Sequence, residues 1–96
     1  RSLGGQVTEN ELCFAIRDAF PVTEHHTLVI PKRHVAYYFD LHQPERNAIE
    51  AILHEQGQSI LDHDNTVTGF NVGINAGASA GQTVFHVHVH LIPRRD

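Results

Sequence analysis

The sequence predicts an α+β domain in which an antiparallel sheet of about five strands carries one main helix on one face. Short apolar runs bounded by Pro and Gly indicate strands, and one longer segment has helical periodicity. The helical segment lies between two groups of strands, an order typical of a sheet covered on one side. The length of 96 residues leaves room for one domain, so we assign residues 1–96 to it. Because the chain opens at Arg1 and has no Met, we expect both ends to be trimmed from a longer protein.

Three strands are predicted before the helix. Gln6–Thr8 forms a short first strand, and Leu12–Ile16 is apolar enough to be buried. Thr27–Ile30 forms the next strand, which we expect Pro31 to close because proline cannot donate a hydrogen bond to a central ladder.

The helix is predicted from Gln43 to about Asp64. Pro44 suits a first helical position, and Glu45 complements the positive charge of the helix start. An apolar stripe recurs along one side of this segment and is expected to face the sheet. Its members are Ile49, Ile52, Leu53, Ile60 and Leu61.

Two further strands follow the helix. Gly69–Asn75 alternates in polarity and predicts the first of them. After a run of small residues, Val84–Ile92 predicts the last strand, which we expect Pro93 to end.

Histidines recur at every second position of this last predicted strand. Side chains two residues apart share a face of a strand, so His86, His88 and His90 are expected on one side. The other side is expected to hold Phe85, Val87, Val89 and Leu91, which can pack on the helix. Imidazoles placed in a core would lose hydration without an apolar gain, and this favours a functional site.

A loop of small residues, from Gly77 to Gly81, precedes the histidines. Such a loop leaves backbone N–H groups accessible, the kind of concavity that binds phosphate. Gln82 and Thr83 follow directly and offer neutral donors to a bridging or leaving oxygen.

The segment from Gly77 to Pro93 resembles the signature of the histidine triad (HIT) hydrolases and transferases. It reads Gly-Ala-Ser-Ala-Gly-Gln-Thr-Val-Phe-His-Val-His-Val-His-Leu-Ile-Pro. The resemblance continues upstream in Asp18–Pro21, His26–His34 and Gly69–Gly77, and it covers most of the chain from about Glu9. It implies a small α+β fold, a homodimer, and a reaction on nucleotides with a substituted α-phosphate, transferred first to a histidine and then to water.

Carried onto the matching positions, the resemblance implies that His88 is the nucleophile. Neutral imidazole is a good nucleophile near pH 7, and a covalent route divides one difficult displacement into two. The resemblance gives His86 and His90 the flanking positions, which orient the nucleophile and contact phosphate. It makes His26 the fourth histidine, which completes the group from a neighbouring strand.

The same resemblance implies a set of nucleotide-binding residues. They are Asp18 for the ribose hydroxyls, Asn75 for the α-phosphate, Gly81 in the phosphate loop, Gln82 and Thr83 near the leaving group, and Phe14, Ala19 and Leu28 around the base. A turn role stays open for Asp18, as does a simple core role for the apolar residues. His25 departs from the family pattern, which often has glycine there.

The branch of the family and the need for a metal are less constrained. The Gln-Thr-Val form of the motif is similar to dinucleoside polyphosphate hydrolases, whereas Ser in place of Thr83 is commoner in the phosphoramidase branch. A purine nucleoside phosphoramidase, a zinc hydrolase using two strand histidines with His26, and a non-catalytic nucleotide-binding module are the alternatives. The histidine step itself is expected to need no cofactor, and a divalent metal would serve as a counter-ion of the substrate.

Composition narrows the partners and the compartment. The formal net charge of −4 argues against binding to a nucleic-acid backbone, which needs Lys and Arg. Cys13 is the single cysteine, so the sequence forms no internal disulfide and fits a reducing compartment. No apolar run approaches the length of a membrane span. We therefore expect a cytoplasmic protein with a small nucleotide substrate and neither nucleic-acid nor membrane partners.

Overall fold

A five-stranded antiparallel sheet forms the framework of the protein in the computed structural model, which describes residues 6–96. In space the strands lie in the order β1-β2-β3-β5-β4, so the last strand inserts beside β3. The predicted fold class is confirmed. The strands are β1 Gln6–Glu9, β2 Cys13–Arg17, β3 Thr27–Pro31, β4 Val67–Gly73 and β5 Val89–Arg95.

A single long helix, α1, runs over Gln43–His63, within one residue of its predicted end. At its start the Glu45 carboxylate accepts the His42 backbone N–H at 2.8 Å, which satisfies a donor at the helix end. At its end the Asp64 N–H donates to the Ile60 carbonyl at 2.9 Å. In the part of the chain from residue 6 onward, no helix has both the length and the apolar character that a bilayer crossing requires.

The helix packs on one face of the sheet through Ile49, Ile52 and Ile60. Its apolar partners on the sheet lie on β2, β3, β4 and β5, and include Cys13, Ala15, Val29, Val67 and Leu91. The predicted stripe is wrong at Leu61, which is 43% exposed. Leu61 follows Ile60 by about 100° of rotation and turns off the buried stripe. A polar residue, Gln56, takes an inward position instead and accepts a hydrogen bond from Arg17 at 2.9 Å.

Within residues 6–96 no helix covers the opposite face of the sheet, which we call the site face. In the β2–β3 ladder Phe14 lies beside Ile30 and Ile16 beside Leu28. Leu28 in turn lies beside His90 of β5. Since these neighbours project to the same side, the site face joins an apolar patch directly to the histidines.

The last strand begins and ends later than predicted. β5 starts at Val89, whose ladder partner on β3 is Val29, so His86 and His88 precede the strand. The Val87 N–H donates instead to the carbonyl of Val35, which lies outside any strand, at 2.7 Å. Alternation nevertheless persists, because Val87, Val89 and Leu91 are buried; Phe85 is the exception, at 52% exposed.

The prediction that Pro93 ends this strand is wrong, because β5 continues to Arg95. The β3 ladder stops at Leu91, so beyond that residue β5 has only β4 as a neighbour and tolerates a proline. β4 likewise ends at Gly73 rather than at Asn75, since Gly73 pairs with His90 near the start of β5. β4 also begins two residues before the predicted Gly69, β2 is shifted by one residue at both ends, and β1 and β3 each extend one residue beyond the predicted end.

Candidate active site

The His88 ring is held by the backbone two residues before it. Its Nδ1 lies 2.9 Å from the His86 carbonyl oxygen. A carbonyl oxygen can only accept, so Nδ1 carries the proton, and the lone pair of the neutral ring is on Nε2. The His86 carbonyl therefore holds the His88 ring with its Nε2 lone pair in a fixed orientation.

The His86 ring is anchored to the end of β3. Its Nε2 donates to the Pro31 carbonyl oxygen at 2.8 Å. The edge of the His34 ring also contacts it, with 5.1 Å between ring centroids. His86 thus joins the segment before β5 to the end of β3 in place of ladder hydrogen bonds.

A chain of hydrogen bonds fixes the proton on His90. His26, which is 3% exposed, accepts the Val22 backbone N–H at Nδ1 over 3.0 Å. Neutral His26 therefore carries its proton on Nε2 and donates it to His90 Nδ1, 2.9 Å away. His90 then keeps a proton on Nε2, and its ring centroid lies 5.2 Å from that of His88. The chain of hydrogen bonds supplies an oriented N–H donor beside His88.

Burial keeps this pair of histidines neutral. It lowers the pKa of His26, an effect that the Asp18 carboxylate opposes. It also lowers the pKa of His90, with smaller contributions from His88 and His26. Both rings are therefore uncharged near neutral pH.

Asp18 lies at the end of this hydrogen-bond chain. One of its carboxylate oxygens is 3.7 Å from His26 Nε2, and the other accepts the Phe20 N–H at 2.9 Å. Asp18, His26 and His90 each offer one ligand atom, and these atoms lie within 4.8 Å of one another. A metal ion could be held there, although it would have to replace the hydrogen bond between the two histidines. Only one ligand of this group, His90, comes from the histidine run, whereas the zinc hydrolase considered above would use two histidines of that run.

The small-residue loop is shaped by two glycines and a buried amide. Gly77 and Gly81 have φ angles of 95° and 94°, in the region that L side chains rarely adopt. The Gln82 side chain accepts the Gly77 N–H at 2.8 Å and donates to the carbonyls of Ala36 and Val84, at 2.6 and 3.1 Å. Both amide hydrogens of Gln82 are thereby used within the protein, so its contact with a leaving oxygen stays a prediction.

The other predicted ligands are placed unequally around the histidines. Asn75 approaches the loop, with Nδ2 3.5 Å from the Gly81 carbonyl, and lines a cavity beside His90. Thr83 and Ala19 are exposed. Their roles also stay predictions.

An apolar cavity of about 210 Å³ opens on the site face next to His86 and His88. Phe14 and Leu28, two of the predicted base-pocket residues, line it, whereas Ala19 does not. Its other apolar members, Ile16, Ile30 and Val84, were not predicted from the sequence. Alternation along the strands would have indicated Ile16 and Ile30, because each lies two residues from a predicted member.

A second cavity, of about 360 Å³, lies beyond His90 on the same face. His26 and His90 border it, and Asn71 and Asn75 add amide groups. The histidines thus separate an apolar cavity from a more polar one.

Comparison with known proteins gives relatives over nearly the whole chain. The family model described as HIT domain matches residues 5–96. An uncharacterized 16.1 kDa HIT-like protein from Mycoplasma pneumoniae is 42% identical over 91 residues, covering 95% of this chain and 62% of the relative. An adenylylsulfatase from Arabidopsis thaliana is 35% identical over 91 residues, covering 92% of this chain and 44% of the relative.

Solved structures agree with this result. A HIT family protein from Bacillus anthracis has a TM-score of 0.91 at 41% identity, over 99% of this chain and 67% of that one. A diadenosine triphosphate hydrolase from Plasmodium falciparum has a TM-score of 0.82 at 29% identity, over 94% of this chain and 60% of that one. The chain spans 62% of the length of the Mycoplasma relative. Together with the histidine arrangement, these matches show that the chain belongs to the HIT domain family.

Proposed function

We propose that this protein is a nucleotide hydrolase or transferase in which His88 Nε2 attacks the α-phosphorus of a nucleotide with a substituted α-phosphate. Dinucleoside polyphosphates are the favoured substrates. The observation that carries the proposal is the hydrogen bond from His88 Nδ1 to the His86 carbonyl, which leaves the lone pair on Nε2.

In the first step an Nε2–P bond forms while the P–O bond to the leaving group breaks. The leaving group departs with the electron pair, as a nucleoside polyphosphate. The nucleotidyl-imidazole is then cationic, so its Nδ1–H bond to the His86 carbonyl becomes charge-assisted and stronger. In the second step water attacks phosphorus, the P–N bond breaks, a nucleoside monophosphate leaves, and the water proton passes to solvent.

Positioned donors stabilise the charge that develops on the phosphate oxygens. His90 supplies an Nε2–H whose orientation follows from its bond with His26. The side-chain amide of Asn75, whose Nδ2 lies 3.5 Å from the Gly81 carbonyl, is a second donor group beside the small-residue loop. Fixed donors of this kind contribute much of the rate of phosphoryl transfer.

The apolar cavity next to His88 suits the base of the nucleotide. Phe14 and Leu28 line it, and it opens beside the histidines where the phosphate would react. The Asp18 carboxylate, whose side chain is 12% exposed, would accept hydrogen bonds from the ribose hydroxyls. Catalysis through His88 needs no metal in this scheme, and a divalent cation would act as a counter-ion of the polyphosphate.

The relatives support a nucleotide substrate and leave the leaving group open. One is an adenylylsulfatase, and a similar structure is that of a diadenosine triphosphate hydrolase. A purine nucleoside phosphoramidase is therefore the second candidate, with an amine as the leaving group.

The test is product analysis in the presence of EDTA. The protein is incubated with diadenosine polyphosphates and with adenosine 5′-phosphoramidate, and AMP is measured. We expect wild type and His63→Ala, a substitution of an exposed histidine at the end of α1, to release AMP, and His88→Ala to be inactive. Activity retained by His88→Ala would refute the nucleophile. If EDTA abolished the activity and zinc restored it, the reaction would instead depend on a metal ion held by Asp18, His26 and His90.

We also propose that the protein is a homodimer. β4 is an edge strand of the sheet, and Val72 on it is 56% exposed. The adjoining surface of α1 presents Leu61, 43% exposed, and an apolar cavity lies between them. A second copy would bury this surface and extend the sheet by edge pairing. Light scattering at micromolar concentration should give a dimer for wild type and a monomer for Val72→Asp; a monomeric wild type would contradict the proposal.

A further inference from the structure

An arginine stands on the site face beyond the histidines. Residues two apart share a face of β5, so His90, Ile92 and Arg94 form one row. Arg94 is exposed, and within residues 6–96 it has no carboxylate at ion-pair distance. Its positive charge also contributes to the lowered pKa of His26, which places it within electrostatic reach of the hydrogen-bond chain.

Asn71 on the neighbouring strand orients this arginine. Arg94 Nε donates to Asn71 Oδ1 at 2.7 Å, across the β4–β5 ladder. No further hydrogen bond of the guanidinium occurs in the described part of the chain, so its two terminal nitrogens remain available. A guanidinium held at one nitrogen presents its other N–H groups in the planar arrangement that phosphate oxygens accept.

The polar cavity reaches from the histidines to Asn71, the hydrogen-bond partner of Arg94. His26, His90, Asn71 and Ile92 all line it, whereas Arg94 itself lies outside its lining. Arg94 lies roughly 13 Å along the strand from His90, at about 3.3 Å per residue, and its long side chain covers part of that distance. Asp18 is the carboxylate at the histidine end, close to His26, so an anion would favour the arginine end.

We propose that Arg94 and Asn71 form a binding subsite for the phosphates of the leaving group. This inference rests on the proposed function and specifies its substrate class as nucleotides whose leaving group is itself a polyphosphate. In-line attack by His88 requires the leaving group to depart away from Nε2, and the base already occupies the apolar cavity on the other side. The polar cavity provides the room, and the unpaired guanidinium provides the charge.

The kinetic test compares two substrates that differ in the leaving group. Diadenosine tetraphosphate leaves a polyphosphate, whereas adenosine 5′-phosphoramidate leaves an uncharged amine. For Arg94→Ala we expect KM to rise about tenfold with the tetraphosphate, the size of one charge-assisted hydrogen bond, and to stay unchanged with the phosphoramidate. The matched control is Lys32→Ala, which removes one positive charge from a side chain paired with Glu9 on the far edge strand and should alter neither KM.

Titration with inorganic triphosphate tests the subsite without turnover. Calorimetry should show binding to wild type and to Lys32→Ala, and about tenfold weaker binding to Arg94→Ala. Equal binding by all three proteins, or equal effects of Arg94→Ala on both substrates, would overturn the subsite while leaving the His88 nucleophile intact. If wild type hydrolyses neither substrate, the proposed function fails, and the triphosphate titration still decides whether the subsite exists.

Discussion

Replacing His26 by Phe tests the hydrogen-bond chain that fixes His90. His26 is 3% exposed, so Phe retains most of the buried volume while both ring nitrogens are removed. Two hydrogen bonds are lost: the one from the Val22 N–H to Nδ1 at 3.0 Å and the one from Nε2–H to His90 at 2.9 Å. The variant therefore separates the packing role of the ring from its polar role.

The size of both effects follows from these bonds. Each hydrogen bond contributes about 0.5–1.5 kcal/mol net to stability. Val22 is exposed, so in the variant its N–H can bond to water instead. We therefore expect the free energy of unfolding to decrease by about 1–2 kcal/mol. Without His26, His90 can move its proton to Nδ1 and lose the Nε2–H donor. Loss of one oriented transition-state donor costs about 10²- to 10³-fold in kcat. Because some His90 side chains would keep the proton on Nε2 and stay active, we expect a smaller decrease in kcat, about ten- to hundredfold.

The assay measures kcat and KM for AMP release together with urea unfolding. His26→Gln is the matched control, since its amide N–H can still donate to His90 and should recover most of kcat. A Phe variant that is destabilised but keeps wild-type kcat would show that the chain does not control His90. A Gln variant as impaired as the Phe variant would mean that ring shape, not the proton position, is what matters.

Three further predictions follow from pKa shifts and backbone geometry. The pKa values of His26 and His90 are lowered in the folded state, so unfolding takes up protons in acid. The free energy of unfolding should therefore be greatest above about pH 6.5 and decrease below that pH. A flat profile of urea unfolding between about pH 5 and 8 would contradict this. Gly81→Ala, at φ 94°, should cost about 1–2 kcal/mol and raise KM, whereas unchanged thermal stability would show that the loop adapts. The hydrogen bonds from Arg33 hold the pKa of Glu45 at about 2, so this pair stabilises the fold above pH 4.5 and the contribution is lost towards pH 2. Glu45→Gln should accordingly lower Tm at pH 7 more than at pH 2, and an equal decrease at both would refute the pairing.

The helix was predictable from the sequence because its determinants are local. Pro44 and Glu45 define its start, and the apolar stripe needs only a 3.6-residue period. The stripe fails at Leu61, which lies about 100° of helix rotation from Ile60 and stays exposed. The order of the strands depends on long-range pairing, and no short window of sequence contains that information.

The limits of β5 were not predictable from its pattern. Alternating polar and apolar residues mark a two-sided segment, whether or not a strand lies beside it. Val87 donates to Val35 outside the sheet, while Pro93 lies where the β3 ladder has already stopped. The position of the neighbouring strand, rather than residue type, decided both ends.

The histidines that the structure brings together were named from the sequence, but the interactions that orient them were not. His86 and His88 are held by backbone carbonyls, of Pro31 and of His86 itself. Every residue supplies a carbonyl, so such a partner leaves no signal in the sequence. The three bonds between the buried amide of Gln82 and the backbone were hidden for the same reason, and its contact with a leaving oxygen stays a prediction.

The place where the strand prediction fails is also where the proposed chemistry occurs. If residues 86–88 continued the β5 ladder, a neighbouring strand would occupy the His86 carbonyl, and His88 Nδ1 would lose its acceptor. Because the strand begins only at Val89, that carbonyl is free to accept the Nδ1 proton and to leave the lone pair on Nε2. The departure from regular structure is thus what gives His88 a defined tautomer, and functional sites are where such departures are expected. A substitution that extended the ladder to His86 should stabilise the sheet and lower the nucleophilicity of His88 together.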